Sequence, residues 1–300
     1  MNRRETLQSL FAASVAGAAS PLVAAEGDPM RVAVMGHTGR GNYGHGLDTV
    51  WLDYPGVEVV GVSDLVPEGL TKALKRLSIP SAAGFSDYRK MLEATSPDLV
   101  AVAPRYVEEH AAMAVAAAEA GAKGIYIEKP FCRDLAEADQ IIKACQENGT
   151  RLAIAHRNRF HPVLPVVSEL IDEGAIGKLL EIRARGKEDA RGGCQDLWVL
   201  GSHLLNLIHY FAGDPIACSA TIYANGKPAT ATDIIEGPEG VGPIAGNEIR
   251  ARYEMSSGVP VYFDSLQNAG SKEAGFGFQF IGTNGLIDLR ADREPLVHLL

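Results

Sequence analysis

A regular alternation of short apolar runs with helix-like segments occupies the first half of the chain, and it limits the fold more than any other feature. Each run is rich in Val, Ile, Leu or Ala and is apolar enough to be buried on both faces of a sheet. The runs cover residues 31–35, 57–62, 99–103, 124–127 and 152–155. Strands that alternate with helices in this way are typical of βαβ units, which build a parallel sheet.

Two of the intervening segments carry clear helix signals. Residues 108–120 are mostly Ala, Met and Glu and stop before Gly121. Asp134 and Glu137 have the spacing of a capping box, and the helix that they open should end at Asn-Gly, residues 148–149. We therefore predict that residues 30–157 form a Rossmann domain, a doubly wound parallel sheet that binds a dinucleotide.

Beyond Arg159 the pattern changes to strand-like runs separated by Gly and Asn turns, which favours an antiparallel sheet. The runs cover residues 179–184, 217–224, 249–255, 259–263, 276–281 and 286–289, and helices are predicted at 162–173 and 201–211. We predict an α/β protein in which the Rossmann domain is followed by an α+β substrate and oligomerisation domain, residues 158–300, with an open, mainly antiparallel sheet. The chain ends on apolar residues, so a sheet shortened at its C-terminal end is an alternative to a complete one.

The charge balance excludes two classes of partner. The 300 residues are 46% hydrophobic and 22% charged, with a formal net charge of −9 at pH 7, which is the balance of a globular protein. Nucleic acids and anionic membranes are bound by clustered Lys and Arg, and the sequence contains no basic cluster. We therefore expect a small-molecule partner, no nucleic acid, and no membrane for the mature chain.

The first residues have the features of an export signal. Arg3 and Arg4 precede an Ala-rich apolar core, and small residues at 23–25 offer a cleavage site. A Gly and a Pro interrupt the core, which argues against a membrane-spanning helix. The paired arginines resemble a twin-arginine signal, which exports proteins that have already folded. We expect residues 1–25 to be removed and the mature protein to be periplasmic, the alternative being an ordinary disordered tail.

A glycine-rich turn follows the first predicted strand. Gly36, Gly39 and Gly41 lie in the sequence Gly-His-Thr-Gly-Arg-Gly, which we expect to open a helix. The backbone N–H groups and the positive end of that helix would then face a pyrophosphate. Thr38 takes the second glycine position, so its side chain must turn away from the phosphate or hydrogen-bond to it. The alternative is a plain loop between strand and helix.

Residues that end later strands complete the predicted cofactor site. Asp64 ends the second strand, where a carboxylate accepts hydrogen bonds from the adenosine ribose. Because this carboxylate would repel a 2′-phosphate, NAD is favoured over NADP, although Arg40 in the glycine turn keeps NADP as the lesser alternative. Pro104 and Glu128 follow the third and fourth runs and are assigned to the same site.

Lys129 and His203 are the predicted catalytic pair. Lys129 lies in Glu-Lys-Pro directly after the fourth run, and ligands collect beyond the carboxyl ends of parallel strands. It would hold a substrate hydroxyl and stabilise a developing alkoxide, unless the tripeptide is only a surface turn. His203, near the start of an amphipathic helix, would take the hydroxyl proton, because histidine titrates in the right range. A lone helical histidine is otherwise a packed core residue or a surface residue.

These motifs together resemble the Gfo/Idh/MocA family of NAD(P)-dependent oxidoreductases. The resemblance rests on the glycine turn, Glu128-Lys129-Pro130, Asn-Arg-Phe-His-Pro at residues 158–162, and Gly-Ser-His at residues 201–203. It implies a Rossmann domain followed by a domain whose open sheet often mediates oligomers, so a homo-oligomer is expected. It also implies that the lysine and the helix histidine act at the reacting carbon of a sugar, a cyclitol or a derivative.

The chain departs from this resemblance at two positions. Many dehydrogenases of the family carry an Asp four residues before the histidine, where this chain has Val199, and Asn206 replaces a frequent later Asp. Asp196, from the preceding loop, is our candidate for the missing catalytic acid. The candidate substrate-binding residues are Lys129 and three further cations, Arg159, Lys187 and Arg191. No ligand spacing supports a metal site, and none is predicted.

The sequence favours an exported NAD-dependent oxidoreductase that removes hydride from a secondary hydroxyl of a sugar or cyclitol. Two alternatives remain. One is an NAD-dependent glycosidase or epimerase, in which a tightly bound cofactor is reduced and reoxidised within one turnover. The other is a non-catalytic sugar-binding relative, which the loss of the acid at Val199 would allow.

Overall fold

A computed structural model of the chain describes residues 28–270, 276–291 and 297–300. Two large β-sheets dominate it, one in each half of the chain. The predicted export signal at residues 1–25 lies outside the described residues, so it stays a prediction. Within the described ranges, no helix combines the length and the apolar character needed to cross a membrane.

The first sheet consists of parallel strands, as predicted. They are β1 Met30–Met35, β2 Val57–Ser63, β3 Gly84–Phe85, β4 Leu99–Val102, β5 Gly124–Ile127 and β6 Arg151–Ile154. Their order is β3-β2-β1-β4-β5-β6, which confirms the doubly wound Rossmann fold. The strand order reverses between β1 and β4, and ligands of such sheets bind beyond the carboxyl ends at this switch point.

Helices cover both faces of this sheet. They are α1 Pro67–Leu77, α2 Tyr88–Thr95, α3 His110–Glu119 and α4 Leu135–Asn148. The Asp134 side chain accepts a hydrogen bond of 2.9 Å from the backbone N–H of Glu137, and Gly149 ends α4 with a φ of 66°. Both caps agree with the sequence signals. Apolar side chains between the helices and the sheet form a separate core on each face.

The connection between β1 and β2 differs from the prediction, because no α-helix forms there. The chain makes successive turns through residues 38–48, followed by a short 3₁₀ helix at Thr49–Trp51. The physical reason is a set of glycines with positive φ, whereas a helix needs φ of about −60° at every residue. These glycines are Gly39, Gly41, Gly44 and Gly46. The expected positive helix end beside the pyrophosphate is therefore missing from this segment.

The second half of the chain forms a mixed sheet and a separate hairpin. The strands are β7 Leu179–Arg185, β8 Pro215–Ala224, β9 Lys227–Pro228, β10 Ile234–Gly237, β11 Gly242–Ala245, β12 Glu248–Met255, β13 Val261–Leu266, β14 Gly277–Gly282, β15 Leu286–Arg290 and β16 Val297–Leu299. The sheet order is β16-β15-β14-β7-β13-β12-β8-β9. Strands β7 and β13 are parallel and the other neighbours in this order are antiparallel, so the predicted open, mainly antiparallel sheet is confirmed.

Two helices, α5 Val163–Asp172 and α6 Ser202–Ala212, contribute to the core of the second sheet. Three large buried rings, those of Phe263, Phe278 and Phe280, lie in the same core. A helical turn at Cys194–Asp196 and a π-helical segment at Leu197–Gly201 precede α6. These segments lead the chain from the core toward the crevice beside the first sheet.

The hairpin of β10 and β11 pairs with neither large sheet. Val241, at its tip, is buried against Val107, which follows β4, and against Val199 in the π-helical segment. The hairpin therefore packs on both halves of the chain next to the switch point.

Candidate active site

Lys129 lies directly beyond the carboxyl end of β5 with its side chain buried. The residue is 5% exposed, and Nζ donates a hydrogen bond of 2.9 Å to the carbonyl oxygen of Val199. Burial lowers the pKa of Lys129. The negative charges of Glu128 and Glu239 raise this pKa, and the positive charges of Arg105 and Arg191 lower it. The ammonium group thus holds its proton less firmly than a surface lysine does.

The carbonyl that accepts from Lys129 belongs to the π-helical segment before α6. Such segments occur mostly as single-turn bulges and are frequent at functional sites. Gly201 ends the segment at a point where a Cβ would lie 2.9 Å from the ring of Phe263. The close approach of this segment to the sheet therefore requires glycine. The next turn, the first of α6, carries His203.

Two imidazole rings meet close to Lys129. His203 faces His156, which lies two residues beyond β6. The ring centroids are 5.6 Å apart and the ring planes are nearly perpendicular, at 82°. Burial lowers the pKa of His203 to about 3 and that of His156 to about 4, and the charge of Lys129 adds to both shifts. Both rings are therefore neutral at physiological pH. From the sequence, His203 was expected to titrate in the ordinary range of a histidine.

Each of these rings has a buried nitrogen without a partner. In the described part of the chain, nothing hydrogen-bonds to Nδ1 of His156 or to Nδ1 of His203. The same holds for two neighbouring atoms on α6, Ser202 Oγ and Asn206 Oδ1. Buried polar atoms are nearly always paired, so an exception calls for an explanation such as a catalytic role.

Asp196, the candidate acid, is engaged elsewhere. Its carboxylate is buried, and Oδ2 accepts hydrogen bonds from Ser265 Oγ at 2.6 Å and from the backbone N–H of Glu188 at 3.0 Å. Gly186 packs so closely that a Cβ there would lie 2.1 Å from this oxygen. Burial raises the pKa of the Asp196 carboxyl. The structure therefore uses Asp196 to attach the loop before the π-helical segment to β13, and it does not bring the carboxylate to His203.

The family resemblance predicts an acid at position 199, where this chain has the apolar side chain of Val199. Its side chain is 3% exposed and packs in the apolar cluster with Val107 and Val241. Its contribution to the site is the backbone carbonyl that binds Lys129. His203 thus has no carboxylate partner among the residues described.

Glu128 fixes the backbone on the other side of Lys129. Its Oε1 accepts a hydrogen bond of 3.0 Å from the backbone N–H of Lys129. Its Oε2 accepts one of 3.0 Å from the backbone N–H of His45 and lies 3.0 Å from His45 Nδ1. Glu128, predicted to bind cofactor, therefore joins the Glu-Lys-Pro turn to the loop that follows β1.

His110 joins the ends of β4 and β5. Its Nε2 lies 2.7 Å from the carbonyl oxygen of Pro104, and its Nδ1 lies 2.8 Å from that of Pro130. The ring is fully buried. Pro104, predicted to bind cofactor, thus lies at the switch point, and its carbonyl is held by a structural histidine.

Arg191 and Lys187, two of the predicted substrate cations, lie in the loop before the π-helical segment. Arg191 forms an ion pair with Asp189, and its positive charge contributes to the lowered pKa of Lys129. The hydrogen bonds from Arg191 lower the pKa of the Asp189 carboxyl, and the charge of Lys187 adds to this effect. Arg191 also lines an open cavity of about 550 Å³.

Arg159, the third predicted cation, packs on α6. Its Nη1 donates a hydrogen bond of 3.0 Å to the carbonyl oxygen of Asn206, and its guanidinium lies 5.0 Å from the ring centroid of Tyr210. Its charge also lowers the pKa of His156. The structure therefore places Arg159 beside the imidazole pair rather than beside Arg191.

Asp64 ends β2 as predicted, but its carboxylate is already hydrogen-bonded. Thr38 donates to it through Oγ1 at 2.6 Å and through its backbone N–H at 3.1 Å, and Tyr43 donates through its hydroxyl at 2.9 Å. The backbone N–H of Val66 donates at 2.9 Å. The ring of Tyr43 covers Gly36 so closely that a Cβ there would lie 2.1 Å from it.

Arg40 and Gly41 face the segment after β4. Arg40 forms an ion pair with Glu108 and lies 5.1 Å from the ring centroid of Tyr106. A Cβ on Gly41 would lie 2.3 Å from the backbone nitrogen of Arg105. The charge of Arg40 is thus compensated by an acid, which weakens the case for a 2′-phosphate and hence for NADP.

The positions of these residues fit NAD. Asp64 and Lys129 lie beyond the carboxyl ends of β2 and β5, and Gly39 has open space where a Cβ would stand. Because Asp64 already accepts from Thr38, Tyr43 and Val66, a ribose that binds to it would take the place of some of these hydrogen bonds.

Sequence reasoning missed two residues that the structure places at the site. His156 had a usable signal, because it directly follows a predicted strand at the same sheet edge as Lys129. Tyr43 had none, because its contact with Asp64 depends on turns that were predicted to be a helix.

Comparisons with known proteins agree with this geometry. Residues 30–156 match the family described as "Oxidoreductase family, NAD-binding Rossmann fold", GFO_IDH_MocA. A levoglucosan dehydrogenase of Pseudarthrobacter phenanthrenivorans is 25% identical over 258 residues, which are 78% of this chain and 65% of that protein. An inositol 2-dehydrogenase of Salmonella typhimurium is 33% identical over 131 residues, 43% of this chain and 38% of that protein.

A solved structure shows the same fold over most of the chain. The WlbA dehydrogenase of Bordetella pertussis, in complex with NADH and UDP-GlcNAcA, matches with a TM-score of 0.68 at 16% identity, covering 90% of this chain and 80% of that one. The chain spans 65% and 38% of the two curated relatives above. The match of residues 30–156 shows that this segment belongs to the Gfo/Idh/MocA family of NAD-binding oxidoreductases, and the fold is shared over 90% of the chain.

Proposed function

We propose that the protein oxidises a secondary hydroxyl group of a sugar, a cyclitol or a derivative, with NAD as the hydride acceptor. The observation that carries this proposal is the buried Nζ of Lys129, held 2.9 Å from the carbonyl of Val199 in the helical segment that leads to His203. The names of the two curated relatives, a levoglucosan and an inositol dehydrogenase, support the substrate class.

The side chains divide the reaction between them. NAD, when bound, accepts hydride from the substrate carbon. Lys129 carries three N–H groups, of which the Val199 carbonyl accepts one, so the ammonium can also donate to a substrate oxygen. In that position it stabilises the negative charge that develops on this oxygen. His203, neutral at physiological pH, accepts the hydroxyl proton.

The cavity beside Arg191 supports a substrate rich in hydroxyl groups. It measures about 550 Å³, within the size range of small-molecule sites. Half of its lining residues are polar or charged, among them Gln195, Asn225, Asp233, Asn247 and Gln267, and neither Lys129 nor His203 lines it. Amide groups both donate to and accept from hydroxyls, and a carboxylate accepts from them, so this lining suits a polyol better than an apolar ligand.

Export and self-association belong to the same proposal. The support for export is the paired Arg3 and Arg4 ahead of an Ala-rich core. The support for a homo-oligomer is the exposed β8, where Ile216 is 72% exposed. Cell fractionation of the full chain and light scattering of the purified protein test the two points separately.

The direct test measures NADH formation by absorbance at about 340 nm with purified protein, NAD and a panel of sugars and cyclitols. We expect turnover with at least one of them, and we expect Lys129→Met to abolish it. The matched control is Lys123→Met, because Lys123 precedes the same strand but is exposed and paired with Asp98. Equal turnover in Lys129→Met and in the control would contradict the proposed role.

The same assay separates net oxidation from redox-neutral chemistry. Cleavage of a glycoside or epimerisation without net NADH formation, and with the cofactor retained through gel filtration, would establish the alternative glycosidase or epimerase. Sugar binding with neither reaction would establish a non-catalytic relative. Net NADH formation excludes both.

A further inference from the structure

We infer that His156 is the second proton carrier of the active site, and that it receives from His203 the proton that the substrate hydroxyl loses. The inference rests on the proposed function, because it concerns a later step of the same reaction. Its basis is the contact between the two rings, whose centroids are 5.6 Å apart, together with the buried Nδ1 atom that each ring leaves unpaired.

His110 shows what a structural histidine looks like in this protein. Both of its nitrogens face carbonyl oxygens, those of Pro104 and Pro130, at 2.7 and 2.8 Å. His156 is also largely buried, yet its Nδ1 has no partner in the described chain. A histidine kept for bridging places both ring nitrogens against protein oxygens in this way, although a neutral ring can donate to only one of the two carbonyls. His156 is therefore better explained by a partner that it acquires during turnover.

Neither candidate carboxylate is hydrogen-bonded to His203 in the described structure. Glu128 accepts from the backbone of His45 and of Lys129, whereas Asp196 accepts from Ser265 and Glu188 through Oδ2 and leaves its buried Oδ1 without a partner. A proton on His203 therefore has no carboxylate within hydrogen-bond contact. The ring in contact with His203 is His156.

The charged surroundings favour a proton that moves on. The groups that act on His203 are Lys129, His156, Glu128 and Arg157, and those that act on His156 are Lys129, Glu128 and Arg159. In each set the cations outnumber the single acid, so neither imidazolium is stabilised in place. A protonated His203 is therefore short-lived unless the proton leaves by the neighbouring ring.

The proton passes from the substrate to solvent through both rings. The hydroxyl O–H bond breaks and its proton binds a nitrogen of His203, while the hydride leaves the carbon with its electron pair for NAD. His203 then gives a proton to His156, and His156 gives one to water in the cleft. Both rings end neutral, and the products are a carbonyl compound, NADH and one proton in solvent.

The kinetic test uses His156→Phe, which keeps an aromatic ring against His203 but cannot carry a proton. We expect kcat to fall by about 100-fold, the usual effect of losing one proton-transfer group, with KM and NADH affinity within about twofold. The control is His209→Phe on α6, because His209 is exposed and paired with Asp214. A wild-type kcat in His156→Phe overturns the inference, and so does a parallel loss of kcat and NADH affinity, which marks a structural role.

A second measurement does not depend on turnover. In isotope-labelled, NADH-bound protein, NMR titration of the histidines should show that His156→Phe raises the apparent pKa of His203 by about one unit, because a competing site for positive charge is gone. An unchanged His203 titration overturns the inference even if the enzyme turns over. Coupled titration in a protein that oxidises no hydroxyl substrate overturns the proposed function alone.

Discussion

The ammonium nitrogen of Lys129 and the carbonyl oxygen of Val199 are 2.9 Å apart, and this bond joins the end of the parallel sheet to the helical segment that leads to His203. The two predicted catalytic side chains therefore come from different halves of the chain, and this hydrogen bond links the segments that carry them. A change that breaks it would loosen the contact between these two segments.

We expect Lys129→Arg to lower kcat by about 100-fold although the positive charge is retained. The guanidinium is larger than the ammonium, and the site leaves Lys129 only 5% exposed, so Val199 and the substrate oxygen cannot both be reached in the same geometry. Steady-state kinetics with NAD at saturation would check this. Lys123→Arg is the control. A kcat of Lys129→Arg within about threefold of the wild-type value would contradict this prediction.

Val199→Asp should not restore the acid that the family resemblance leads one to expect. The side chain of Val199 packs against Val107 and Val241, so a carboxylate there would be buried without a partner. We expect the free energy of unfolding to fall by about 3 kcal/mol, measured by urea denaturation. Val50→Asp, at a 51% exposed position, is the control. A stable variant with higher kcat would show that the carboxylate reaches His203 after all.

Tyr43→Phe should strengthen NAD binding. In the free protein the Tyr43 hydroxyl donates to Asp64 at 2.9 Å, a bond that the ribose must replace. Removing the hydroxyl leaves Asp64 one donor short before binding, so we expect the Kd for NADH to fall about fivefold, equivalent to about 1 kcal/mol. Fluorescence titration would measure this, with Tyr54→Phe as the exposed control. Unchanged or weaker binding would mean that the ribose does not displace Tyr43.

The imidazole pair should make the protein less stable in mild acid. The pKa values of His156 and His203, about 4 and about 3, lie below the ordinary 6.5, so the unfolded chain binds protons that the folded chain does not. Stability is then full above pH 6.5 and falls as the pH is lowered toward the folded pKa values. Between pH 7 and about pH 5, each ring should lower the free energy of unfolding by about 2 kcal/mol.

The free energy of unfolding of His156→Phe should therefore fall by about 2 kcal/mol less than that of the wild type over this range. Urea denaturation at both pH values would measure this. His209→Phe should follow the wild type, because His209 is exposed. Parallel pH profiles for His156→Phe and wild type would show that His156 is not buried as a neutral ring.

The parallel sheet and α4 were predictable because their signals are local. Strands buried on both faces need continuous apolar runs, and the Asp134 and Gly149 caps act on their own helix ends. The connection after β1 was not predictable in the same way. A glycine-rich segment is compatible both with a turn that opens a helix and with a series of positive-φ turns, and the sequence does not fix the sign of φ.

The position of Lys129 was predictable, because a strand end fixes it, but the partners of the other candidates were not. Asp196 is seven residues from His203 in sequence, yet it accepts hydrogen bonds from Glu188, in the loop after β7, and from Ser265, which only the folding of β13 brings to it. His156 meets His203 only once β6 and α6 pack together. Sequence can place a residue at an edge, whereas its partners are set by long-range contacts.

The hairpin of β10 and β11 has a consequence for how this protein could diversify. Because it pairs with neither large sheet, its residues can change in length or composition without breaking the hydrogen-bond ladder of either one. Its tip nevertheless packs on Val199, whose carbonyl binds Lys129. Selection or engineering can therefore vary the rest of the hairpin, which lines the cavity beside Arg191, as long as an apolar residue at position 241 keeps its packing against Val199.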